Sequence, residues 1–276
     1  MIQDIYPHRL DNTYKADAAP KDSDKVVVYF GGDFLLKVSD KKIALPQVRD
    51  IPKELHDKLC YLFSIDDNAY FLLPEKVSVA NYERHSITDV RKANFQPEYE
   101  VFALFTAYHL AEWYADNRFC GRCGADTVHD TKERAMFCPN CNKKVYPRIN
   151  PAVIIGVING DKILITRYNR GYAHNALVAG FTEIGETVEE TVAREVMEEA
   201  GLKVKNIRYY KSQPWGVAAD LLMGFYCEVD GDDTITMDRN ELKYAEWVNR
   251  KDIVLQPLDY SLTNEMMKMF KEGKVR

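Results

Sequence analysis

The stretch Gly180–Leu202, which reads GFTEIGETVEETVAREVMEEAGL, constrains the fold more than any other part of the 276-residue chain. Thr187, followed three residues later by Glu190, forms the pattern of a helix capping box, and Gly201 follows as a natural terminator. Val188, Val192, Val196 and Ala200 recur at every fourth position, which is typical of a helix face that packs on a core. The stretch therefore predicts an amphipathic helix over about residues 187–200.

Three glutamates of this predicted helix have the spacing i, i+3, i+4: Glu195, Glu198 and Glu199. We expect them to project together from a face other than the apolar one. Clustered carboxylates repel one another unless a positive charge lies among them, and oxygen ligands suit a hard cation such as Mg²⁺ or Mn²⁺. A bare EVMEE is also typical of a solvated acidic face, so the spacing alone leaves both interpretations open.

Four cysteines form two pairs, Cys120-x2-Cys123 and Cys138-x2-Cys141, with fourteen residues between the pairs. Each pair can place two thiolates at one corner of a tetrahedral Zn²⁺. Because all four ligands are cysteine, the spacing predicts a closed, structural zinc site, with four metal-free buried cysteines as the alternative. Cys60 and Cys227 lie in apolar runs, so we expect them to be buried, inert thiols.

The net charge and the lengths of the apolar runs argue against nucleic-acid binders of generally basic charge, secreted proteins and membrane-spanning proteins. The net charge of −5 disfavours a generally basic nucleic-acid binder. The segment 1–25 has no apolar core of signal-peptide length, and no apolar run elsewhere is long enough to cross a bilayer. We therefore expect a cytoplasmic enzyme without a membrane partner.

The order of predicted elements indicates three domains, covering residues 1–117, 118–147 and 148–276. The first contains a hairpin around Gly31-Gly32 and a helix over Glu98–Tyr114. The second is the cysteine module. The third has a mixed α/β pattern, with strands predicted at residues 152–158, 162–168, 204–212, 221–229 and 244–248 and a last helix near 261–271.

In full, the glutamate stretch follows the pattern G-x5-E-x7-REV-x-EE-x-GL, which resembles the Nudix box at every defined position. The resemblance implies a Nudix α/β/α sandwich with a mixed sheet, preceded here by a four-cysteine zinc ribbon and a strand-rich N-terminal α+β domain. It also implies Mg²⁺- or Mn²⁺-dependent hydrolysis of a diphosphate that joins a nucleoside to another group.

The resemblance assigns roles to individual residues. Those with a catalytic role are Arg194, Glu195, Glu198, Glu199 and Glu241. Those with a role in binding Mg²⁺ or Mn²⁺ are Glu195, Glu199, Glu241 and the backbone carbonyl of Ala179. Arg194 would orient the glutamates, and Glu198 would be a further metal ligand or a base candidate. Which carboxylate takes the proton of the water stays open, with Glu199 and Glu241 as the candidates.

The combination of an N-terminal domain, a four-cysteine ribbon, a Nudix domain and the array Ser212-Gln213-Pro214-Trp215 resembles the NADH pyrophosphatases over nearly the whole chain. In that family the array reads SQPWPFPxS and helps to select NAD(H), whereas this chain reads SQPWGVAAD. Because an aromatic residue and two prolines are missing, we expect a looser loop and weaker selection of NAD(H). The resemblance also implies a homodimer.

Seven positions correspond to substrate-contacting residues of this family: Arg91, Glu133, Tyr146, Phe181, Gln213, Pro214 and Trp215. The rings of Tyr146 and Phe181 could stack on nicotinamide or adenine. Without the resemblance, both would be interpreted equally well as ordinary core aromatics.

Three hypotheses about function follow. The first is hydrolysis of NAD(H) to nicotinamide mononucleotide and AMP, together with removal of NAD caps from RNA. The second keeps the chemistry and changes the substrate to ADP-ribose or another nucleoside diphosphate derivative. The third is a non-catalytic zinc-ribbon regulator that binds nucleotide or RNA, which the intact glutamate set argues against.

Overall fold

The computed structural model describes residues 1–169 and 174–275, and the chain forms two compact units. The N-terminal unit contains Ile2–Arg148 and Gly216–Ala219, and the C-terminal unit contains the rest. The N-terminal unit thus combines the first two predicted domains, and the three-domain division stays a prediction. Within the described ranges, the helices are too short or too polar to span a membrane.

A seven-stranded sheet forms most of the N-terminal unit, in the order β1-β5-β6-β2-β3-β4 with β7 paired to β3. Its strands are β1 Leu10–Asp11, β2 Lys25–Phe30, β3 Asp33–Ser39, β4 Lys42–Ala44, β5 Cys60–Ile65, β6 Asn68–Leu73 and β7 Glu83–Ser86. The predicted hairpin is confirmed, because β2 and β3 are antiparallel. Gly31 and Gly32, which join them, both have positive φ, a conformation that favours glycine.

Two α-helices complete this fold: α1 spans Ile87–Lys92 and α2 spans Glu98–Asp116. The helix predicted over Glu98–Tyr114 is therefore confirmed. The cysteine module follows as a small antiparallel sheet in the order β10-β9-β8. Its strands are β8 Val128–His129, β9 Met136–Phe137 and β10 Lys144–Val145.

The C-terminal unit is built on a six-stranded mixed sheet in the order β14-β15-β11-β12-β16, with β13 paired to β11. Its strands are β11 Asn150–Asn159, β12 Lys162–Tyr168, β13 Val178–Phe181, β14 Val204–Trp215, β15 Asp220–Val229 and β16 Leu242–Asn249. Strands β11 and β15 are parallel, and the other pairs are antiparallel. The predicted strands are confirmed, but β14 extends beyond the predicted end and includes the SQPW array.

One helix packs on each face of this sheet: α3 spans Val188–Ala200 and α4 spans Leu262–Lys271. Successive side chains of β15 point to opposite faces of the sheet, and Phe225 and Cys227 pack in the core under α3. Tyr226, between them, donates a hydrogen bond to the carbonyl of Met266 on α4. The predicted α/β/α sandwich with a mixed sheet is thereby confirmed.

Three of the residues that depart from the family's array form the 3-10 turn Gly216–Ala218, which together with Ala219 belongs to the N-terminal unit. Gly216 is buried against α2, and a Cβ on Gly216 would overlap the carbonyl group of Phe105. The glycine is therefore required by close packing, and the loop is more constrained than the sequence predicts. Restoring the family's proline at this position would disturb α2.

We predict that Gly216→Ala destabilises the folded protein by about 1–3 kcal/mol, because the added methyl group forces the turn away from α2. Thermal unfolding of the full chain measures the change. Ala219→Gly is a matched control in the same turn, since Ala219 has a φ of 59° that glycine adopts without strain. An unfolding temperature for Gly216→Ala equal to the parent's would contradict the close packing.

Candidate active site and zinc ribbon

Helix α3 is positioned by its caps and its apolar face. The hydroxyl of Thr187 accepts a hydrogen bond from the Glu190 backbone N–H, and the Glu190 carboxylate accepts one from the Thr187 N–H at 2.8 Å. Gly201 ends the helix with a φ of 69°. The predicted apolar face is confirmed, with Val192, Val196 and Ala200 fully buried on the sheet. Since these contacts fix the rotation of α3, they also fix where its glutamates point.

The three glutamates project from one side of α3, where the same nitrogen of Arg194 contacts both Glu195 and Glu198, but they differ in burial. Glu195 and Glu199 are buried, with 9% and 2% of their surfaces exposed, whereas the Glu198 side chain is 59% exposed. Burial raises the pKa of Glu195, and it raises the pKa of Glu199 to about 8, with further contributions from the charges of Glu195 and Glu241. The site thus holds two carboxylates in surroundings that disfavour their ionised forms.

Gly180 makes room for the first of these carboxylates. A Cβ on Gly180 would overlap the carboxylate of Glu195, so strand β13 can approach α3 this closely only with glycine here. In strand β13, Ala179 comes before this glycine and the exposed Phe181 comes after it. The glycine at the start of the box therefore has a steric cause.

Arg194 connects the glutamates on the outer side of the site. Its guanidinium binds both oxygens of Glu186 at 2.6 and 2.9 Å, and its Nη1 donates to Glu195 at 2.7 Å and to Glu198 at 2.9 Å. Arg194 also donates to the Phe181 carbonyl. The hydrogen bond from Arg194 holds the pKa of Glu186 at about 2. This geometry is consistent with an orienting role for Arg194.

Sequence reasoning missed the partner of Glu199. The Tyr168 hydroxyl donates to the Glu199 carboxylate, 3.2 and 3.3 Å from its two oxygens, and accepts the Ala179 backbone N–H at 3.1 Å. The available signal was weak: Tyr168 is an aromatic residue at the end of a predicted strand. Only the register between β12, β13 and α3 reveals the contact.

Glu241 lies just before β16, and its backbone carbonyl accepts the Asn169 N–H at 2.8 Å. Its charge raises the pKa of both Glu195 and Glu199, which places it in their neighbourhood. The donor set of carboxylates with the Ala179 carbonyl matches the oxygen ligands that Mg²⁺ prefers. The residues therefore fit a divalent metal.

Gln213 of the SQPW array makes contacts within the C-terminal unit. Gln213 is fully buried, and its amide donates to the Tyr260 carbonyl and accepts the Leu262 N–H, both at 2.7 Å. These bonds attach β14 to the start of α4. Pro214 is exposed and Trp215 is 9% exposed. The contacts of Gln213 thus support the fold, and substrate roles for this array stay predictions.

The four cysteines of the module converge, with all four sulfurs within 4.8 Å of one another. The sulfurs of Cys120 and Cys141 are 3.6 Å apart, and those of Cys123 and Cys138 are 3.5 Å apart. Ligands about 2.3 Å from one tetrahedral zinc have similar separations. No other group of three or more acidic, cysteine or histidine side chains in the described ranges converges this closely.

Two of the predicted substrate residues meet on the module. The Tyr146 hydroxyl donates to Glu133 at 3.0 Å, and Lys144 donates to the same carboxylate at 2.8 Å. The Tyr146 side chain is 55% exposed, so its ring is accessible. Arg91 lies in the last turn of α1 in the same unit. Phe181, in the other unit, is 54% exposed.

Comparison with known proteins agrees with this geometry. The model of the NUDIX domain matches residues 148–270, and the model of the NADH pyrophosphatase zinc ribbon domain matches residues 115–146. An NAD-capped RNA hydrolase NudC of Salmonella heidelberg (strain SL476) is 40% identical over 181 residues, covering 65% of this chain and 70% of the relative. Its counterpart in Escherichia fergusonii is 40% identical over 182 residues, with the same coverage.

A crystal structure of a NUDIX hydrolase from Nitrosomonas europaea covers 57% of this chain and 92% of its own, at 20% identity and a TM-score of 0.49. The mixed sheet, the glutamate helix and the match to the NUDIX model define the class as a Nudix hydrolase. With its ribbon and its 40% identical relatives, the chain belongs to the zinc-ribbon NADH pyrophosphatase family of Nudix hydrolases.

We predict that the purified protein carries about one Zn²⁺ per chain, measured by elemental analysis. Cys138→Ser should lose the zinc and lower the stability of the N-terminal unit, because structural zinc binding is coupled to folding. Cys227→Ala is the control, since Cys227 is buried in the other unit and should leave zinc content unchanged. Full zinc content in Cys138→Ser would refute the assignment.

We predict a pH-dependent effect of Glu199→Gln in the presence of chelator. The folded pKa of Glu199, about 8, exceeds its ordinary value, so its stabilising contribution is complete below about pH 4.5 and is lost as pH rises through 8. Glutamine does not titrate, so the variant does not lose this stability. Its free energy of unfolding should therefore rise relative to that of the parent, by a few kcal/mol, as the pH increases from about 4.5 to 8.

Thermal unfolding between pH 5 and pH 9 measures this difference. In saturating Mg²⁺ the parent should become more stable than Glu199→Gln, because only the parent has a carboxylate at this position that attracts the cation. Glu189→Gln, an exposed position on the same helix, should follow the parent throughout. A difference between Glu199→Gln and the parent that stays constant with pH would contradict the burial of this charge.

Proposed function

We propose that this protein hydrolyses the diphosphate bond of NAD(H), giving AMP and nicotinamide mononucleotide in the matching redox state, and that it removes NAD caps from RNA. The observation that carries the proposal is the buried pair Glu195 and Glu199 on the Nudix helix. The relatives, named NAD-capped RNA hydrolases, support the choice of substrate.

The chain's own residues would divide the work as follows. Glu195, Glu199 and the Ala179 carbonyl would hold the metal, and Arg194 would keep Glu195 in place. Bound divalent cations supply positive charge for the diphosphate and lower the pKa of a bound water. The oxygen of the attacking water joins one phosphorus while the bridging oxygen leaves on the other. Glu198, Glu199 and Glu241 are the candidates for accepting the proton of the water.

Substrate selection would rest on exposed aromatic rings. Phe181 follows the box glycine and is accessible for stacking on a nucleobase or nicotinamide. The array lacks the family's second aromatic, since Val217 stands at that position. Loss of one stacking contact costs on the order of 1 kcal/mol, which corresponds to several-fold weaker discrimination. The same departure favours ADP-ribose as an alternative substrate.

Three finer statements rest on resemblance to the family. We infer that Mg²⁺ or Mn²⁺ serves as the catalytic metal, that the protein is a homodimer, and that it acts in the cytoplasm. Light scattering at working concentration addresses the dimer directly.

We predict Mg²⁺-dependent cleavage of NADH, with only several-fold preference over ADP-ribose, in a panel of NADH, NAD⁺, ADP-ribose and NAD-capped RNA. Glu199→Gln should abolish most of the turnover, because it removes a charge that holds the metal. Glu189→Gln on the same helix should keep parental activity.

Each outcome of the panel has a distinct meaning. Cleavage of ADP-ribose with no cleavage of NADH or NAD-capped RNA would favour the alternative substrate class. Absence of hydrolysis on every substrate, with nucleotide binding retained, would favour the non-catalytic regulator. Water labelled with ¹⁸O would identify the attacked phosphorus, since the label appears in only one of the two products.

A further inference from the structure

Tyr168 connects two of the residues that the proposed function assigns to the metal. Its hydroxyl accepts the Ala179 N–H at 3.1 Å and donates to the Glu199 carboxylate. The two Glu199 oxygens lie at nearly equal distances, 3.2 and 3.3 Å, so the carboxylate faces the hydroxyl symmetrically. One side chain therefore holds both a metal-binding carboxylate and the strand that presents the metal-binding carbonyl.

The sheet fixes the position of this hydroxyl. Tyr168 is the last residue of β12 and pairs with Leu242 of β16, and the register shifts between Arg167 and Tyr168. Such an irregularity redirects the side chain at the end of a strand. Glu199 projects from a helix on a flexible side chain, whereas the Tyr168 ring has only two rotatable bonds. The tyrosine is therefore the rigid partner of the pair.

The two buried carboxylates have chemically different partners. Arg194 donates to Glu195 with a full positive charge, at 2.7 Å. Tyr168 offers Glu199 a neutral hydroxyl, which directs the carboxylate without compensating its charge. The negative charge of Glu199 is therefore the less compensated of the two, so we expect this carboxylate to attract a cation more strongly. Its orientation then matters most for metal binding.

We propose, on the basis of the proposed metal-dependent function, that Tyr168 is a positioning residue of the metal centre. Its hydroxyl sets the Glu199 carboxylate relative to the Ala179 strand, so that the ligands are preorganised before the cation arrives. Groups that orient metal ligands in this way contribute about 10- to 100-fold to metal affinity.

The chain supplies a matched control for removal of this hydroxyl. Tyr226 is a buried tyrosine of the same unit, and its hydroxyl donates to the Met266 carbonyl at 2.8 Å. It lies on the α4 face of the sheet, away from the glutamates of α3. Tyr226→Phe and Tyr168→Phe each remove one hydrogen-bonded oxygen from the interior, so they differ mainly in whether that oxygen contacts a predicted ligand.

The test is Mn²⁺ binding by calorimetry in the absence of substrate, combined with the Mg²⁺ dependence of hydrolysis. We expect Tyr168→Phe to weaken Mn²⁺ binding about 10- to 100-fold and to raise the half-saturating Mg²⁺ concentration in parallel. Turnover at saturating Mg²⁺ should recover to within a few-fold of the parent. Tyr226→Phe should lower only the unfolding temperature.

A double-mutant cycle separates positioning from general damage to the fold. If Tyr168 acts through Glu199, Tyr168→Phe should have little further effect on Mn²⁺ affinity in the Glu199→Gln background. Equal fold-losses in both backgrounds would overturn the proposal. Parental Mn²⁺ affinity in Tyr168→Phe, with a thermal loss like that of Tyr226→Phe, would overturn it as well.

The outcomes also separate this proposal from the proposed function. Weakened Mn²⁺ binding in Tyr168→Phe, with no hydrolysis by the parent on any tested dinucleotide, would support the positioning role and refute the proposed function. Hydrolysis of NADH with unchanged Mn²⁺ affinity in Tyr168→Phe would support the function and overturn the positioning role.

Discussion

The burial of two like charges on one helix face is the constraint on which the C-terminal unit depends. Glu195 and Glu199 are one helical turn apart and almost inaccessible to solvent. Removing a carboxylate from water costs several kcal/mol, and a second carboxylate nearby adds to that cost. The fold must therefore fix the positions of both carboxylates without fully compensating their charges, so that a cation still binds. A metal-dependent enzyme gains from this arrangement, whereas a purely structural helix would lose stability.

Several local elements hold the two buried glutamates in position. The caps of α3 and its valine face set the rotation of the helix, and the missing side chain of Gly180 lets β13 approach the Glu195 carboxylate. Arg194 provides a cation on the outer side. Tyr168 provides a neutral donor on the inner side. The asymmetry between these two partners leaves Glu199 as the carboxylate most in need of a metal.

Features determined by local sequence could be predicted, and features determined by register between distant strands could not. The limits of α3 follow from a capping box, a repeat of four and a terminal glycine, all within fifteen residues. The zinc ligands follow from spacing within two short turns. The contact of Tyr168 with Glu199 requires β12 and β13 to be aligned with the helix, and this alignment cannot be predicted from an aromatic residue at the end of a strand. The close packing of Gly216 on α2 likewise joins residues more than a hundred positions apart.

We propose that the buried glutamates and the Ala179 carbonyl form a divalent-metal centre distinct from the zinc site of the ribbon. Anomalous diffraction from crystals grown with Mn²⁺ tests it most directly, with data on both sides of the manganese and zinc absorption edges. We expect a manganese signal within coordination distance of Glu195 and Glu199, and a zinc signal among the four cysteine sulfurs. Manganese bound elsewhere, with no manganese signal near Glu195 or Glu199, would contradict this assignment.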